Sequence, residues 1–307
     1  MIIPQFPDFL ALTLEQINDV GKYLKKIQPE ISELSLGFLY GYNESFNFKL
    51  SLLFGNLIVF GTIEDIPSFI LPPLKDKFVA MLECCISYLK EKYNGGRINA
   101  VPSLIIDVIS STGISPDIKE KIEIVENRDD ADYVYKVEDL AKLRGKKYQA
   151  KRNYVKRFKG KYEYKFLELR ENLIEECLRL QEKWFNMKIS NAEDISSMSL
   201  ENKSVTNLLL NFSKLGLFGN VLLIKDKVEG FIIAEELNND TVVVHAEKAN
   251  PEYIGIYPAI NQLFCASILN KYKFVNWEQD VGLPGLRKSK LSYHPRYLVR
   301  KYDVLVK

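Results

Sequence analysis

The sequence predicts an α+β protein made of two similar halves, each a mixed, mostly antiparallel sheet flanked by helices. The second half has the clearer pattern: two helical stretches, three β-rich runs joined by short turns, a helix, a strand, a short helix and a final strand. The first half repeats this order more weakly. Both halves contain Leu-Phe-Gly-Asn, at residues 53–56 and 217–220, which hints at a duplication.

Local signals place the elements of each half. Thr13 is an N-cap candidate, so we expect a helix from there to Lys26. Gly55 and Asn56 form a turn between two β-rich runs, and Pro258 suits the first turn of a later helix. The other expected helices cover 76–93, 103–111, 173–187, 200–215, 258–271 and 285–291, and the expected strands cover 46–54, 57–62, 122–126, 133–136, 218–225, 228–236, 241–248, 274–277 and 296–302. We therefore expect an N-terminal domain at 1–141, a basic connecting helix at 142–161 and a C-terminal domain at 162–307.

The composition is that of a globular chain with a sizeable core. Of the 307 residues, 47% are hydrophobic, and 42 basic side chains accompany 40 acidic ones. These values exclude a disordered chain, a collagen and a disulfide-dense secreted scaffold. The four cysteines form no CxxC pair, which favours reduced thiols and a cytoplasmic location. No apolar run reaches the roughly 18–20 residues that cross a bilayer.

The basic residues are concentrated in two segments that contain no acidic residue. Residues 142–161 hold ten Lys or Arg and residues 285–301 hold six, so the rest of the chain is net acidic. Such segments favour a phosphate-rich partner, with a solvated helix face as the alternative. In the connecting helix we expect an apolar stripe of Ala150, Tyr154 and Phe158. The side chains that would then face a ligand or water are Lys147, Lys151, Arg152, Lys156 and Lys159.

The chain lacks the motifs of most hydrolases, kinases, dehydrogenases and zinc enzymes. It contains no GxSxG, Walker A, HExxH or GxGxxG sequence and only two histidines. We therefore expect no metal site. Chemistry done by positioning, by carboxylates and by cationic groups remains.

Polar side chains stand at the end of a strongly apolar strand near residue 245. Strand alternation puts His245 and Glu247 on one face. If that face lines a substrate cleft, either residue could take a proton from a nucleophile. A salt bridge between Glu247 and Lys248 at the rim of the sheet is the alternative.

A second polar segment follows the expected strand at 274–277. If the strand continues, Glu278 and Asp280 lie on the same side, where two carboxylates can bind an ammonium group or share a proton. A polar turn, with Asp280 capping the next helix, is the alternative. Arg287 and Lys290 on that helix could supply cations to an anionic ligand, or could face solvent.

Short stretches, densest from Asp132 onward, carry a resemblance to a known family. They are Asp132–Tyr135, Leu140, Gly145–Lys147, Lys151–Asn153, Val244–Lys248, Asn261–Gln262, Asp280–Gly282, Gly285–Lys290 and Tyr293–Pro295. In these stretches the chain resembles a bacterial family of unknown function that is related to the C-terminal domain of phosphatidylglycerol lysyltransferase. The resemblance implies two GNAT-like (acyl-CoA N-acyltransferase-like) domains in tandem, with a catalytic type of domain second.

The resemblance also implies group transfer. Phosphatidylglycerol lysyltransferases move an aminoacyl group from aminoacyl-tRNA to a lipid hydroxyl, and relatives of the Fem type move it to a peptidoglycan-precursor amine. On this hypothesis the catalytic residues are His245, Glu247, Glu278 and Asp280. The substrate-binding residues are Lys248, Asn276, Arg287, Lys290 and Tyr293. The phosphate-binding residues are Lys147, Lys151, Arg152, Asn153, Lys156 and Lys159.

Two departures from these relatives affect the expected substrates. GNAT enzymes hold the pyrophosphate of coenzyme A with backbone amides at a helix N-terminus, and the corresponding turn here keeps only Gly255. Glu252 adds a repulsive charge there, Tyr257 adds bulk and Pro258 lacks an N–H donor. The lysyltransferases also have a transmembrane region, whereas this chain shows none, so a soluble acceptor or one at the membrane surface fits better.

We therefore expect direct transfer of an aminoacyl group from aminoacyl-tRNA to an amine or hydroxyl of a small-molecule or peptide acceptor, with no cofactor other than the donor. One alternative is an acyl-CoA-dependent N-acyltransferase. The other is a non-catalytic module that binds nucleic acid or an anionic metabolite.

Overall fold

Two compact units make up the computed structural model, which describes residues 3–189 and 195–307. The first unit contains residues up to 132 together with 279–283 and 298–307, and the second contains 133–278 and 284–297. These units differ from the boundaries expected from the sequence. The chain passes between units inside a strand, and the basic helix packs within the second unit instead of connecting two domains.

The elements follow in chain order. The first unit has strands β1 (Leu10–Ala11), β2 (Lys49–Leu53), β3 (Asn56–Ile63), β4 (Ile66–Ile70), β5 (Gly96–Pro102) and most of β6 (Ile122–Lys136), and helices α1 (Ile17–Ile27), α2 (Leu36–Gly41), α3 (Asn43–Phe46), α4 (Phe78–Tyr93), α5 (Ser103–Thr112) and α6 (Pro116–Lys119). The second unit has helices α7 (Val137–Lys142), α8 (Gln149–Lys161), α9 (Ile174–Ile189), α10 (Ile195–Leu210), α11 (Ile256–Ile268) and α12 (Pro284–Leu291), and strands β7 (Tyr164–Glu168), β8 (Phe218–Ile224), β9 (Lys227–Asn238), β10 (Thr241–Ala249) and β11 (Phe274–Asn276). The last strand, β12 (Tyr297–Val306), lies almost entirely in the first unit.

In the first unit the strand order is β1-β2-β3-β4-β5-β12-β6. Strands β2, β3 and β4 pair antiparallel, and β5 runs parallel to β4. Phe69, Phe78, Ile98 and Val304 are buried together in its core. This core includes β12, so the C-terminal strand is an internal part of the first unit.

In the second unit β7, β8, β9 and β10 form an antiparallel series, and β11 runs parallel to β10 after helix α11. The last residues of β6 complete this sheet by pairing antiparallel with β11. The parallel pair needs a crossover helix, which α11 supplies with its buried residues Ile256, Ile260 and Phe264. The predicted α+β class and the predicted GNAT-like order of the second half are thereby confirmed.

Two details of the sequence prediction are wrong. The apolar stripe of α8 is formed by Val155 and Phe158, whereas Ala150 and Tyr154 are exposed. Strand β6 is continuous over Ile122–Lys136, although its exposed polar residues suggested a break between two short strands.

Candidate active site

The candidate site lies where β10 and β11 separate. Backbone pairing between these parallel strands covers only three residues on each, ending at Val243 and Asn276. Beyond that point a bulge in β10 leaves His245 without a partner residue on β9. The chain after β11 turns at Glu278, whose φ is +52°, and the Glu278 N–H donates to Asn276 Oδ1 at 2.8 Å. Side chains from both strands therefore meet in the gap.

Glu247 is the central carboxylate of this gap. Trp277 Nε1 donates to Glu247 Oε2 at 3.0 Å. Burial raises the pKa of Glu247 to about 7, against hydrogen bonds from Trp277 and Asn261 and the positive charges of Lys290 and Lys151. A carboxyl group with a pKa near neutrality is suited to accept a proton and return it.

His245 sits between two carboxylates. Its Nδ1 lies 2.7 Å from Glu278 Oε1 and its Nε2 lies 3.5 Å from Glu235 Oε1. Burial opposes the imidazolium charge, but the hydrogen bonds and charges of Glu235 and Glu278 outweigh burial and raise the pKa of His245 to about 10. These surroundings favour the protonated ring, so of the two residues expected as the general base Glu247 fits that role better.

Three cationic or phenolic side chains face Glu247. Lys151 Nζ lies 3.7 Å from the centroid of the Tyr293 ring. Burial lowers the pKa of Lys151 while Glu247 raises it, and burial and Glu247 both raise the pKa of Tyr293. Lys290 Nζ donates to the Trp277 carbonyl. The structure thus brings Lys151, Lys290 and Tyr293 close enough to Glu247 to interact with it electrostatically.

The other residues expected to bind phosphate fall into three groups. Arg152 donates to the carbonyl oxygens of Leu143 and Gly145, where α7 ends, and so has a structural role. Lys159 donates to Gln262 on α11 at 3.0 Å. The exposed candidates on or beside α8 are Lys147, Asn153 and Lys156.

Lys248 and Asp280 lie away from Glu247. Lys248 projects from the opposite face of β10, where its Nζ lies 3.6 Å from the Trp184 ring centroid and 2.7 Å from Glu201. Asp280 belongs to the first unit and pairs with Arg128 at 3.3 Å. The expectation that Asp280 and Glu278 share a side fails because the strand ends at Asn276.

Two of the site residues expected from the sequence remain, and the structure adds three residues that were not expected. Asn276 is fully buried and Arg287 is half-buried on α12. Glu235, Asn261 and Trp277 contact the site although none was named as a site residue; Asn261 lies in one of the stretches that carry the family resemblance. Trp277 was detectable, because it stands next to the carboxylates in sequence, whereas Glu235 and Asn261 arrive from β9 and α11 through tertiary packing.

The turn before α11, where GNAT enzymes hold pyrophosphate, is packed against α8. Gly255 has φ +88°, and a Cβ at this position would lie 2.5 Å from the Tyr154 carbonyl oxygen. Glu252 stays on this turn, where its N–H donates to Asn250 Oδ1 at 3.2 Å. Pro258 lies in the first turn of α11 and offers no N–H.

Two further searches cover residues 3–189 and 195–307. In this part of the chain no helix is long and apolar enough to cross a membrane. Within the same ranges no three His, Cys, Asp or Glu side chains converge as a metal-binding group.

Comparisons with known proteins place this chain in a family. A solved conserved protein of unknown function from Bacteroides thetaiotaomicron is 29% identical and superposes with a TM-score of 0.89 over 100% of both chains. The L-PGS structure from Bacillus licheniformis shares the fold, with a TM-score of 0.66 at 14% identity over 100% of this chain and 94% of that one. An uncharacterised protein of Mycoplasmoides gallisepticum is 26% identical over 217 residues, which cover 69% of this chain and 68% of that protein. The family model of the phosphatidylglycerol lysyltransferase C-terminal region matches residues 103–305. The chain belongs to the family of phosphatidylglycerol lysyltransferase C-terminal domains.

Proposed function

We propose that this protein is an aminoacyl transferase that takes its aminoacyl group from aminoacyl-tRNA and passes it directly to an amine or hydroxyl of an acceptor. The family supports an acyl or aminoacyl transferase in general terms. The position of helix α8 is the observation that favours aminoacyl-tRNA as the donor. This basic helix reaches Glu247, the candidate proton acceptor, and also packs on the turn that would otherwise hold coenzyme A.

One face of α8 points to the reacting centre. Lys151 is half-buried over Tyr293 and interacts electrostatically with Glu247. The exposed face carries Lys156 and Arg157 and leads back to Lys147. A polyanion that runs along this exposed face would bring one end to Lys151, which is the arrangement that an aminoacyl-tRNA acceptor end needs.

The turn before α11 supports an RNA donor over coenzyme A. Helix α8 packs against Gly255, Glu252 places a carboxylate on the turn, and Pro258 removes an amide donor. A pyrophosphate group at this turn would lose donors and meet a like charge.

The chemistry follows from the protonation states. Glu247 takes the proton of the acceptor amine or hydroxyl while the acceptor atom bonds to the ester carbonyl carbon. Lys151 and Lys290 stabilise the negative charge that develops on the carbonyl oxygen. The ester bond to the ribose oxygen then breaks, and Glu247 returns its proton to that oxygen. The acceptor is acylated, tRNA leaves with a free hydroxyl, and no covalent enzyme intermediate forms.

Binding of charged and uncharged tRNA by filter retention, at several salt concentrations, tests the donor without knowledge of the acceptor. We expect charged tRNA to bind more tightly and the affinity to fall steeply with salt. Thermal shift with acetyl-CoA is the parallel measurement. A saturable shift with acetyl-CoA, together with no tRNA binding at low salt, would replace this proposal with an acyl-CoA-dependent acyltransferase.

A further inference from the structure

The ion cluster around His245 does not transfer protons in the proposed reaction. We infer that His245 is a positioning residue that joins β9, β10 and the end of β11 and thereby holds Glu247 against Trp277. The inference rests on the proposed function only for its activity measurement.

The location of the cluster gives His245 this role. The last backbone pair between β10 and β11 is Val243 with Asn276. His245 and Glu278 are each two residues further along and meet at 2.7 Å. Side-chain contacts therefore continue where the backbone hydrogen bonds between the two strands stop.

On the side of β9, the His245–Glu235 contact lies where a backbone pair between β9 and β10 is missing. Val244 pairs with Ala234 and Ala246 with Ile233, so the bulge at His245 interrupts the register with β9. Glu235 on β9 faces His245 Nε2 at 3.5 Å instead. One imidazole ring thus contacts side chains from both neighbouring strands of β10.

The charges require the ring to be cationic. The side chains of His245, Glu235 and Glu278 are only 3%, 8% and 17% exposed. A neutral ring would take away the positive charge that lies between the two buried carboxylates of Glu235 and Glu278. A protonated ring donates from Nδ1 to Glu278, and its Nε2, which makes no hydrogen bond, carries the positive charge to within 3.5 Å of Glu235 Oε1.

The Glu247–Trp277 contact is the one that the cluster positions. Glu247 Oε2 accepts from Trp277 Nε1 at 3.0 Å; Glu247 lies two residues after His245 on β10, and Trp277 is the residue directly before Glu278. If the pair is lost, the strand ends are free to separate, and the Glu247–Trp277 hydrogen bond is the first contact to lengthen.

Nitrogen-15 NMR of the imidazole rings tests the charge without any substrate. The chain has two histidines, so a His294→Asn variant assigns the signals. We expect both His245 nitrogens to remain protonated from about pH 6 to pH 9. A His245 signal that titrates near the ordinary imidazole value of about 6.5 would overturn the inference.

Trp277 fluorescence tests the positioning. In a Trp184→Phe background Trp277 is the only tryptophan, because the chain contains two. We expect His245→Gln and Glu278→Gln each to shift its emission to longer wavelength, with no shift in the matched control His294→Asn. If His245→Gln does not fold, the double variant His245→Gln/Glu278→Gln replaces it, because its two amide side chains can hydrogen-bond to each other. An emission maximum of the double variant closer to that of the Trp184→Phe parent than the maximum of Glu278→Gln alone supports the role of the 245–278 contact. The same emission maximum in all variants would overturn the inference.

Kinetics of aminoacyl transfer distinguish a positioning role of His245 from a role in folding alone. We expect His245→Gln to lower kcat roughly 10- to 100-fold with little change in KM for the donor, and the double variant to recover part of the loss. An unchanged kcat in a folded His245→Gln protein would overturn the inference. If the wild-type protein transfers no aminoacyl group, the proposed function fails, while the NMR and fluorescence results still decide the role of His245.

Discussion

Glu247 and His245 lie two residues apart on one strand, yet their surroundings give them opposite protonation behaviour. Two carboxylates keep His245 charged, whereas burial brings the pKa of Glu247 to about 7. Of the two, Glu247 is therefore the better candidate for proton exchange near neutral pH. The proposed proton acceptor can therefore be tested with a substitution that preserves shape.

Glu247→Gln should lower the transfer rate by roughly 100-fold or more, because the amide cannot take a proton from the acceptor. Donor binding should change little, since the amide oxygen of the variant side chain can still accept from Trp277. Single-turnover transfer at saturating donor measures this effect. A variant that transfers at the wild-type rate would remove Glu247 from the mechanism.

The same substitution has a pH-dependent effect on stability. Folding raises the pKa of Glu247 from 4.5 to about 7, so the folded state holds the proton more tightly than the unfolded state. This stability is complete below the unfolded pKa and is lost as pH rises through about 7. The free energy of unfolding of the wild type, minus that of Glu247→Gln, should fall by up to ~1.4 kcal/mol per pH unit across this window and then level off. Urea unfolding at a series of pH values measures this difference, and a difference that does not depend on pH would contradict it.

At the scale of elements, α8 has two different basic faces. Lys151 is half-buried over Tyr293, whereas Lys156 on the same helix is exposed. A single helix therefore offers a residue beside the reacting centre and a matched residue on the proposed RNA-binding face.

Lys151→Met and Lys156→Met should impair different steps, the first group transfer and the second tRNA binding. Lys151→Met should reduce single-turnover transfer by roughly 10- to 100-fold while leaving the salt dependence of tRNA binding nearly unchanged. Lys156→Met should weaken tRNA binding and reduce the slope of log affinity against log salt by about one phosphate contact, with little effect on saturated turnover. The same loss of affinity and slope in both variants would assign Lys151 to phosphate binding instead.

Individual elements show which parts of the structure could be predicted from the sequence. The strands near 218–249 were predictable because apolar runs and polar turns mark both ends of each. The bulge at His245 was not predictable, and it interrupts the alternation from which a shared face of His245 and Glu247 was expected. The stripe of α8 was not predictable from spacing, since Tyr154 has the apolar ring of a core residue but lies on the exposed face. Asp280 was misplaced because the left-handed turn at Glu278 ends the alternation, and a non-glycine residue gives no local signal of such a turn.

At the scale of the whole molecule, the two units do not follow the two halves of the chain. Strand β6 begins in the first unit and ends in the second, and β12 returns to the first. Lys301 on β12 is fully buried and pairs with Asp132 and Glu33, both at 2.7 Å. The first unit is therefore incomplete without the last ten residues of this sequence, Leu298–Lys307.

Deletion of residues 298–307 should unfold the first unit, because it removes an internal strand and leaves Glu33 and Asp132 buried without their cation. Hydrogen exchange read by mass spectrometry should show loss of protection in β2 to β5. Deletion of the exposed Lys307 alone is the control. Wild-type protection in the longer deletion would show that β12 is dispensable.

The return of β12 also determines when the first unit can be completed during synthesis. A ribosome delivers residues 1–132 long before residues 298–307, so the sheet beside β5 stays open while more than half of the protein is still being made. Until then β5 presents an unpaired edge that can associate with other chains. We therefore expect slow elongation to expose this edge for longer, and a chaperone that shields it to help, more than in a protein of two consecutive domains.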